Sequence, residues 1–178
     1  MKTKKTIFLL IILSVFVLSA ASCGKLPAVD YLSYRAGAFK MDGRLECSGR
    51  EYTLAIAYEK DGALTATVTS PVRIAGCVVT IGADGNVSLT FGGVTVGLTS
   101  DITQTLQLGA LAALRDLLLP SPGGLISAKV TKLGGQIYNL ANFAGNRGDV
   151  AVWFDRAGVP VRFEADGAVF SVTNFSKD

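Results

Sequence analysis

The sequence predicts an α+β fold that is mainly antiparallel β, a meander interrupted by one helix. Three observations predict it. Apolar residues alternate with polar or small ones in several short runs, the period of a half-buried strand. Asp-Gly pairs at 42–43, 61–62, 84–85 and 166–167 fall between runs, and Asp-Gly supplies the positive φ that tight hairpin turns require. One stretch, Leu106–Leu119, has neither proline nor a β-branched residue and reads as a helix.

Taken in order, Asp30 is placed to cap a short helix that runs through Tyr34-Arg35 and stops before Gly37. Tyr52, Leu54, Ile56 and Tyr58 then alternate with Thr53, Ala55, Ala57 and Glu59. Leu64, Ala66 and Val68 alternate with Thr65 and Thr67, and Ser70-Pro71 breaks that run with a bend or an edge. Val87, Leu89 and Phe91 alternate with Ser88 and Thr90; Gly92-Gly93 and Gly134-Gly135 read as turns or bulges. In the helix, Leu106, Ala110, Ala113, Leu114 and Leu117 share one stripe, which Leu108, Leu111 and Leu118 widen almost to a cylinder. Only Gln107, Arg115 and Asp116 are polar, so this helix is buried or covers an apolar surface. Residues 120–124 (Pro-Ser-Pro-Gly-Gly) end it. Strands resume over Ala128–Leu133, Gln136–Phe143, Asp149–Asp155, Val159–Ala165 and Ala168–Phe175. The inward faces give a candidate apolar interior: Leu54, Ile56, Leu64, Val68, Leu89, Phe91, Leu111, Leu114, Val152, Phe154, Phe163 and Phe170.

The N-terminus carries a separate message. Lys2, Lys4 and Lys5 precede an apolar run from Ile7 to Leu18, broken by Ser14; Ala20-Ala21-Ser22-Cys23 follows. This is the layout of a secretory signal peptide. The cysteine after three small residues makes it similar to a bacterial lipoprotein signal, with Ala20 where those signals usually carry Leu. That resemblance implies a diacylglyceryl group on Cys23 as the mature N-terminus. A plain signal peptide cut near Ala21, or an uncut anchor, are the alternatives, though the run is short of the ~20 residues a spanning helix needs. The expected organisation is a signal over 1–22, an acylated tether over 23–29 and one domain over 30–178.

Composition narrows the chemistry. Removing the three N-terminal lysines leaves 14 Lys and Arg against 14 Asp and Glu, a side-chain charge of zero. A nucleic-acid partner would leave a basic excess, and docking on anionic lipid by charge would too. The chain has no histidine, which removes the Ser-His-Asp and Cys-His nucleophile arrangements and leaves a poor zinc ligand set. No nucleophile elbow, phosphate loop or dinucleotide fingerprint is present. Asp149, Asp155, Glu164 and Asp166 cluster in sequence and read as turn-formers and solvated strand ends rather than a carboxylate pair. No enzyme, cofactor or metal is expected. Cys47 and Cys77 are either a disulfide of an exported protein or two buried free thiols.

The order of features resembles the lipoprotein-carrier superfamily of LolA, LolB, the mycobacterial LppX-type lipoproteins and the Gram-positive GerS-type lipoproteins of spore formers. The short N-terminal helix, Val68-Thr69-Ser70-Pro71, Ile74-Ala75-Gly76, Gly85 through Phe91-Gly92-Gly93, the leucine-rich helix, Gly158 to Phe163 and Phe170 to Phe175 carry it. The resemblance implies a strongly curved, incomplete β-barrel with helices covering its concave face. It also implies a lipid or lipoprotein acyl chain held there or, in other members, a protein partner in the envelope or the sporulation and germination machinery. An anchored member sits on the extracytoplasmic face of the cell membrane, and the Gram-positive type fits best. No functional residue carries over from the family's motifs.

Overall fold

The computed structural model describes residues 30–98, 114–120, 124–145, 148–165 and 167–177. Among these residues eleven strands form one sheet: β1 Phe39–Cys47, β2 Arg50–Tyr58, β3 Leu64–Ser70, β4 Val78–Ile81, β5 Val87–Phe91, β6 Val94–Leu98, β7 Leu125–Leu133, β8 Gln136–Phe143, β9 Val150–Phe154, β10 Pro160–Ala165 and β11 Ala168–Lys177. Their order is β6-β5-β4-β3-β2-β1-β11-β10-β9-β8-β7. Two meanders are joined where the first strand pairs with the last, Phe39 opposite Lys177 and Cys47 opposite Ala168. Neighbours are antiparallel, as the short connections predict. β6 and β7 end the sheet and do not pair with each other, so no barrel closes.

Helix is scarce among the described residues. α1 is Leu114–Leu118, and single 3-10 turns occupy Ser33–Arg35 and Val72–Ile74. The predicted N-terminal helix is thus one turn, and its N-cap residue is Leu32 rather than Asp30, with no side-chain cap bond; Asp30 Oδ1 accepts from the Leu32 amide at 3.1 Å just ahead of the turn. Of the helix predicted over Leu106–Leu119, residues 106–113 lie outside the described residues.

One turn prediction fails. Asp42-Gly43 lies in the middle of β1, whose residues alternate buried and exposed over its whole length. A bulge falls between Asp42 and Gly43 in the pairing with β11. Gly43 is required by space: a Cβ there would stand 2.5 Å from Phe170 Cζ and 2.5 Å from the Ser171 carbonyl oxygen. The true β1–β2 turn is Ser48-Gly49, with φ of 48° and 72°. Positive φ at both central residues is the type I′ signature, which suits the strand twist. The other Asp-Gly pairs fall between strands as predicted, Asp166 itself lying outside the described residues. β4 and β6 are four and five residues long, too short for an alternation signal.

The sheet curls. Phe39 on β1 and Phe154 on β9 stand three strands apart, about 14 Å across a flat sheet. Both rings nevertheless lie within 6.0 Å of the Tyr34 ring. α1 contacts β10 while Arg115 at its start donates to the carbonyl of Gly82, just past β4. β4 and β10 are five strands apart, about 24 Å when flat, farther than a five-residue helix of about 7.5 Å reaches.

Candidate functional site: the apolar interior

Burial follows from the register. Leu45, opposite Phe170 on β11, Met41, opposite Ile56 on β2, and Leu64, opposite Ile81 on β4, all point to one face. That face carries one cluster drawn from β1 to β4, from β8 to β11, from α1 and from Tyr34. Among the described residues it buries no polar or charged side chain apart from the Tyr34 phenol.

Most predicted interior residues meet there. Leu54, Ile56, Leu64, Val68, Leu114, Val152, Phe154, Phe163 and Phe170 are all at most 3% exposed. Leu89 is partly buried and packs on the cluster's rim. Phe91 departs from the prediction: it points to the same face as Leu89 but is 49% exposed, because the β5–β6 hairpin runs past the core. Leu111 lies outside the described residues, as does Cys23. Sequence reasoning missed Phe39, Met41 and Leu45 of β1 and Phe143 of β8, each at most 1% exposed. The signal was present in Phe39-Lys40-Met41-Asp42-Gly43-Arg44-Leu45-Glu46-Cys47, which alternates strictly; the Asp-Gly pair inside it reads as a break.

One end of the interior is latched. Tyr34 enters from the N-terminal turn and touches the rings of Phe39, Phe154 and Phe163. Its hydroxyl donates to the Leu118 carbonyl at 2.6 Å, and Arg35 donates to the Pro120 carbonyl. Carbonyls at a helix C-terminus lack intrahelical donors, so these side chains satisfy groups that would otherwise be orphaned. Burial pushes the Tyr34 phenol well above its ordinary value, and the nearby Arg35 charge opposes this only in part. At the opposite end of the strands Val72, Phe91 and Val94 are 89%, 49% and 64% exposed.

The register does not bring Cys47 and Cys77 together, and both are free. Cys77 lies beside Val68, whose partner line crosses Leu54 to Gly43. Cys47 is four residues further along β1, so the two lie about 14 Å apart across the strands and about 13 Å along them. A bridge requires Cα atoms within about 7 Å. Burial raises both thiol pKa values, with Arg50 partly opposing this at Cys47.

The remaining candidates serve the scaffold. Asp155 Oδ1 accepts from the amides of Ala157 and Val159 and closes the β9–β10 turn. Glu164 pairs with Arg162 at 3.4 Å, and Arg162 lies over the Trp153 ring on the outer face. Among the described residues no group of acidic or thiol side chains forms a metal site, and no helix is long and apolar enough to cross a membrane. Two open clefts, of about 350 Å³ beside Cys47–Glu51 and about 530 Å³ beside Thr80, Ser88 and Gly97, are lined by none of the predicted interior residues.

No family profile and no curated protein matches the chain. Solved structures do. An uncharacterized conserved protein from Thermus thermophilus is 9% identical, with 83% of each chain covered and a TM-score of 0.50. MucB is 19% identical over 86% of this chain, also with a TM-score of 0.50. A LolA superfamily protein from Nitrosomonas europaea is 9% identical over 84% of this chain and 90% of its own, with a TM-score of 0.42. The chain shares its fold with the Thermus thermophilus protein and with MucB. At such identities the likeness is one of fold, and the chain spans 60% of MucB.

Proposed function

We propose that this chain is a LolA-like extracytoplasmic lipoprotein, anchored in the cell membrane through Cys23, that holds acyl chains of a lipid or lipoprotein in its half-barrel. In this reading α1 and the Tyr31–Arg35 segment cover the concave face, and residues 30–178 act as one domain. One observation carries it: a curled, unclosed sheet whose inner face is apolar from β4 to β8. An acyl chain transferred onto such a face gains about 0.8 kcal/mol per methylene, without hydrogen bonds or charge. Two acyl chains on Cys23 would suffice for stable attachment. Nothing in this reading calls for catalysis.

The test is extraction. Protein purified from membranes without added lipid is analysed by native mass spectrometry and by lipid extraction, then titrated with a fluorescent fatty acid. Co-purifying acyl chains and saturable probe binding are expected. Leu114→Asp should weaken the probe before it unfolds the protein. Absence of both lipid and probe binding overturns the reading. It would leave an envelope or sporulation lipoprotein that grips a protein partner. The observation favouring that second reading is the interior itself, where Phe39, Phe143, Phe154, Phe163 and Phe170 already pack at 1% exposure or less.

A further inference from the structure

The geometry points to β7 as a docking edge at which an extended, acidic segment of a protein partner adds to the sheet as a further strand. β6 and β7 are the unpaired edges, and they differ in kind. β6 is five residues long, and the hairpin Val87–Leu98 carries no charge. β7 is nine residues long and exposed everywhere except at Ala128 and Thr131. Among the described residues no strand pairs with its outward row of amides and carbonyls, the arrangement that accepts β-addition. Leu125, Ile126, Val130 and Leu133 are 40–56% exposed along it.

Charge selects the occupant. Lys129 and Lys132 stand three residues apart, and so on opposite faces of β7. Neither has an ion-pair partner among the described residues. From Leu125 to Phe143 the sequence has no Asp or Glu, so the hairpin has a net charge of +2. A second copy is disfavoured: two β7 strands paired antiparallel about Val130-Thr131 set Lys129 against Lys132 twice, and like charges directly opposite repel. A strand with two acids three residues apart reverses that sign on both faces while its apolar residues cover Val130 and its neighbours. Lysine on an edge guards against indiscriminate pairing; here the same two lysines leave one class of partner admitted.

The probe is a labelled nonapeptide of alternating valine and threonine with glutamates three residues apart, compared with the same peptide carrying lysines. Each is titrated into the full chain by fluorescence anisotropy. The glutamate peptide should bind at least tenfold more tightly than the lysine peptide, and 0.5 M salt should weaken it. The exposed charge swap Lys129→Glu/Lys132→Glu should reverse the preference, with the melting temperature unchanged. Amide exchange should slow in β7 on binding. Equal binding of the two peptides, no binding of either, protection at β6 instead of β7, or binding to anionic phosphatidylglycerol vesicles that the swap abolishes while the peptide preference stays put would each overturn the assignment.

Discussion

Gly43→Ala is a small change with a large expected cost. The new methyl would stand 2.5 Å from the Phe170 ring and 2.5 Å from the backbone carbonyl of Ser171. Phe170 is 0% exposed, so its ring has no free space to enter, and the Ser171 carbonyl belongs to the β1–β11 ladder that joins the two meanders. Overpacking of this sort costs about 1–3 kcal/mol. One of the two clashes is with backbone, which places Gly43→Ala near the top, about 3 kcal/mol. For a domain near 150 residues that is a fall of roughly 6–12 °C in melting temperature. The assay is thermal and urea denaturation followed by circular dichroism, with Phe170→Leu as a second perturbation. Phe170→Leu alone should destabilise by less than the about 3–5 kcal/mol of a Phe-to-Ala truncation. It also removes the ring that meets the new methyl. The double variant should therefore be more stable than the sum of the singles implies, by about 1 kcal/mol, within the range seen for contacting residues. A Gly43→Ala protein that melts with the wild type, or strict additivity with Phe170→Leu, would refute the close-approach argument.

Tyr34→Phe removes the donor to the Leu118 carbonyl and should cost about 1–3 kcal/mol as a buried acceptor loses its partner, measured by urea denaturation; no loss would mean that the latch is not formed. Raised pKa values also set a pH dependence. Burial holds protons on Cys47, Cys77 and Tyr34 that the unfolded chain releases near the ordinary values of 9.0 and 10.0. Stability is therefore full below about pH 9 and falls as pH rises beyond it, and Tyr34→Phe should flatten the fall above pH 10. Non-reducing mass analysis of the purified protein should find Cys47 and Cys77 both free, slow to alkylate when folded and fast in denaturant; a mass lower by two hydrogens would restore the bridge. Globomycin should block processing at Cys23, and Cys23→Ala should release the protein from membranes; membrane retention of that variant would sink the anchor.

Local chemistry was legible in the sequence wherever a run stood alone. β8 spans the predicted residues Gln136–Phe143, and β2, β3, β5, β9, β10 and β11 sit within a few residues of their predicted bounds, because period-two burial is a property of one strand on one core face. The inward set from Leu54 to Phe170 follows from the same alternation. Tertiary structure decided the rest. Asp42-Gly43 has the local chemistry of a turn, but β1 lies between β2 and β11, and the glycine makes room for a ring more than a hundred residues away. Spacing could not separate Cys47 from Cys77; only the number of strands between them does. Phe91 has the parity of a core residue and misses the core because the sheet curls away before its hairpin ends. Tyr34 spans the curl, reaching β1, β9 and β10 at once and binding the end of α1. Contacts of that kind depend on where the whole chain returns, and no local pattern encodes them.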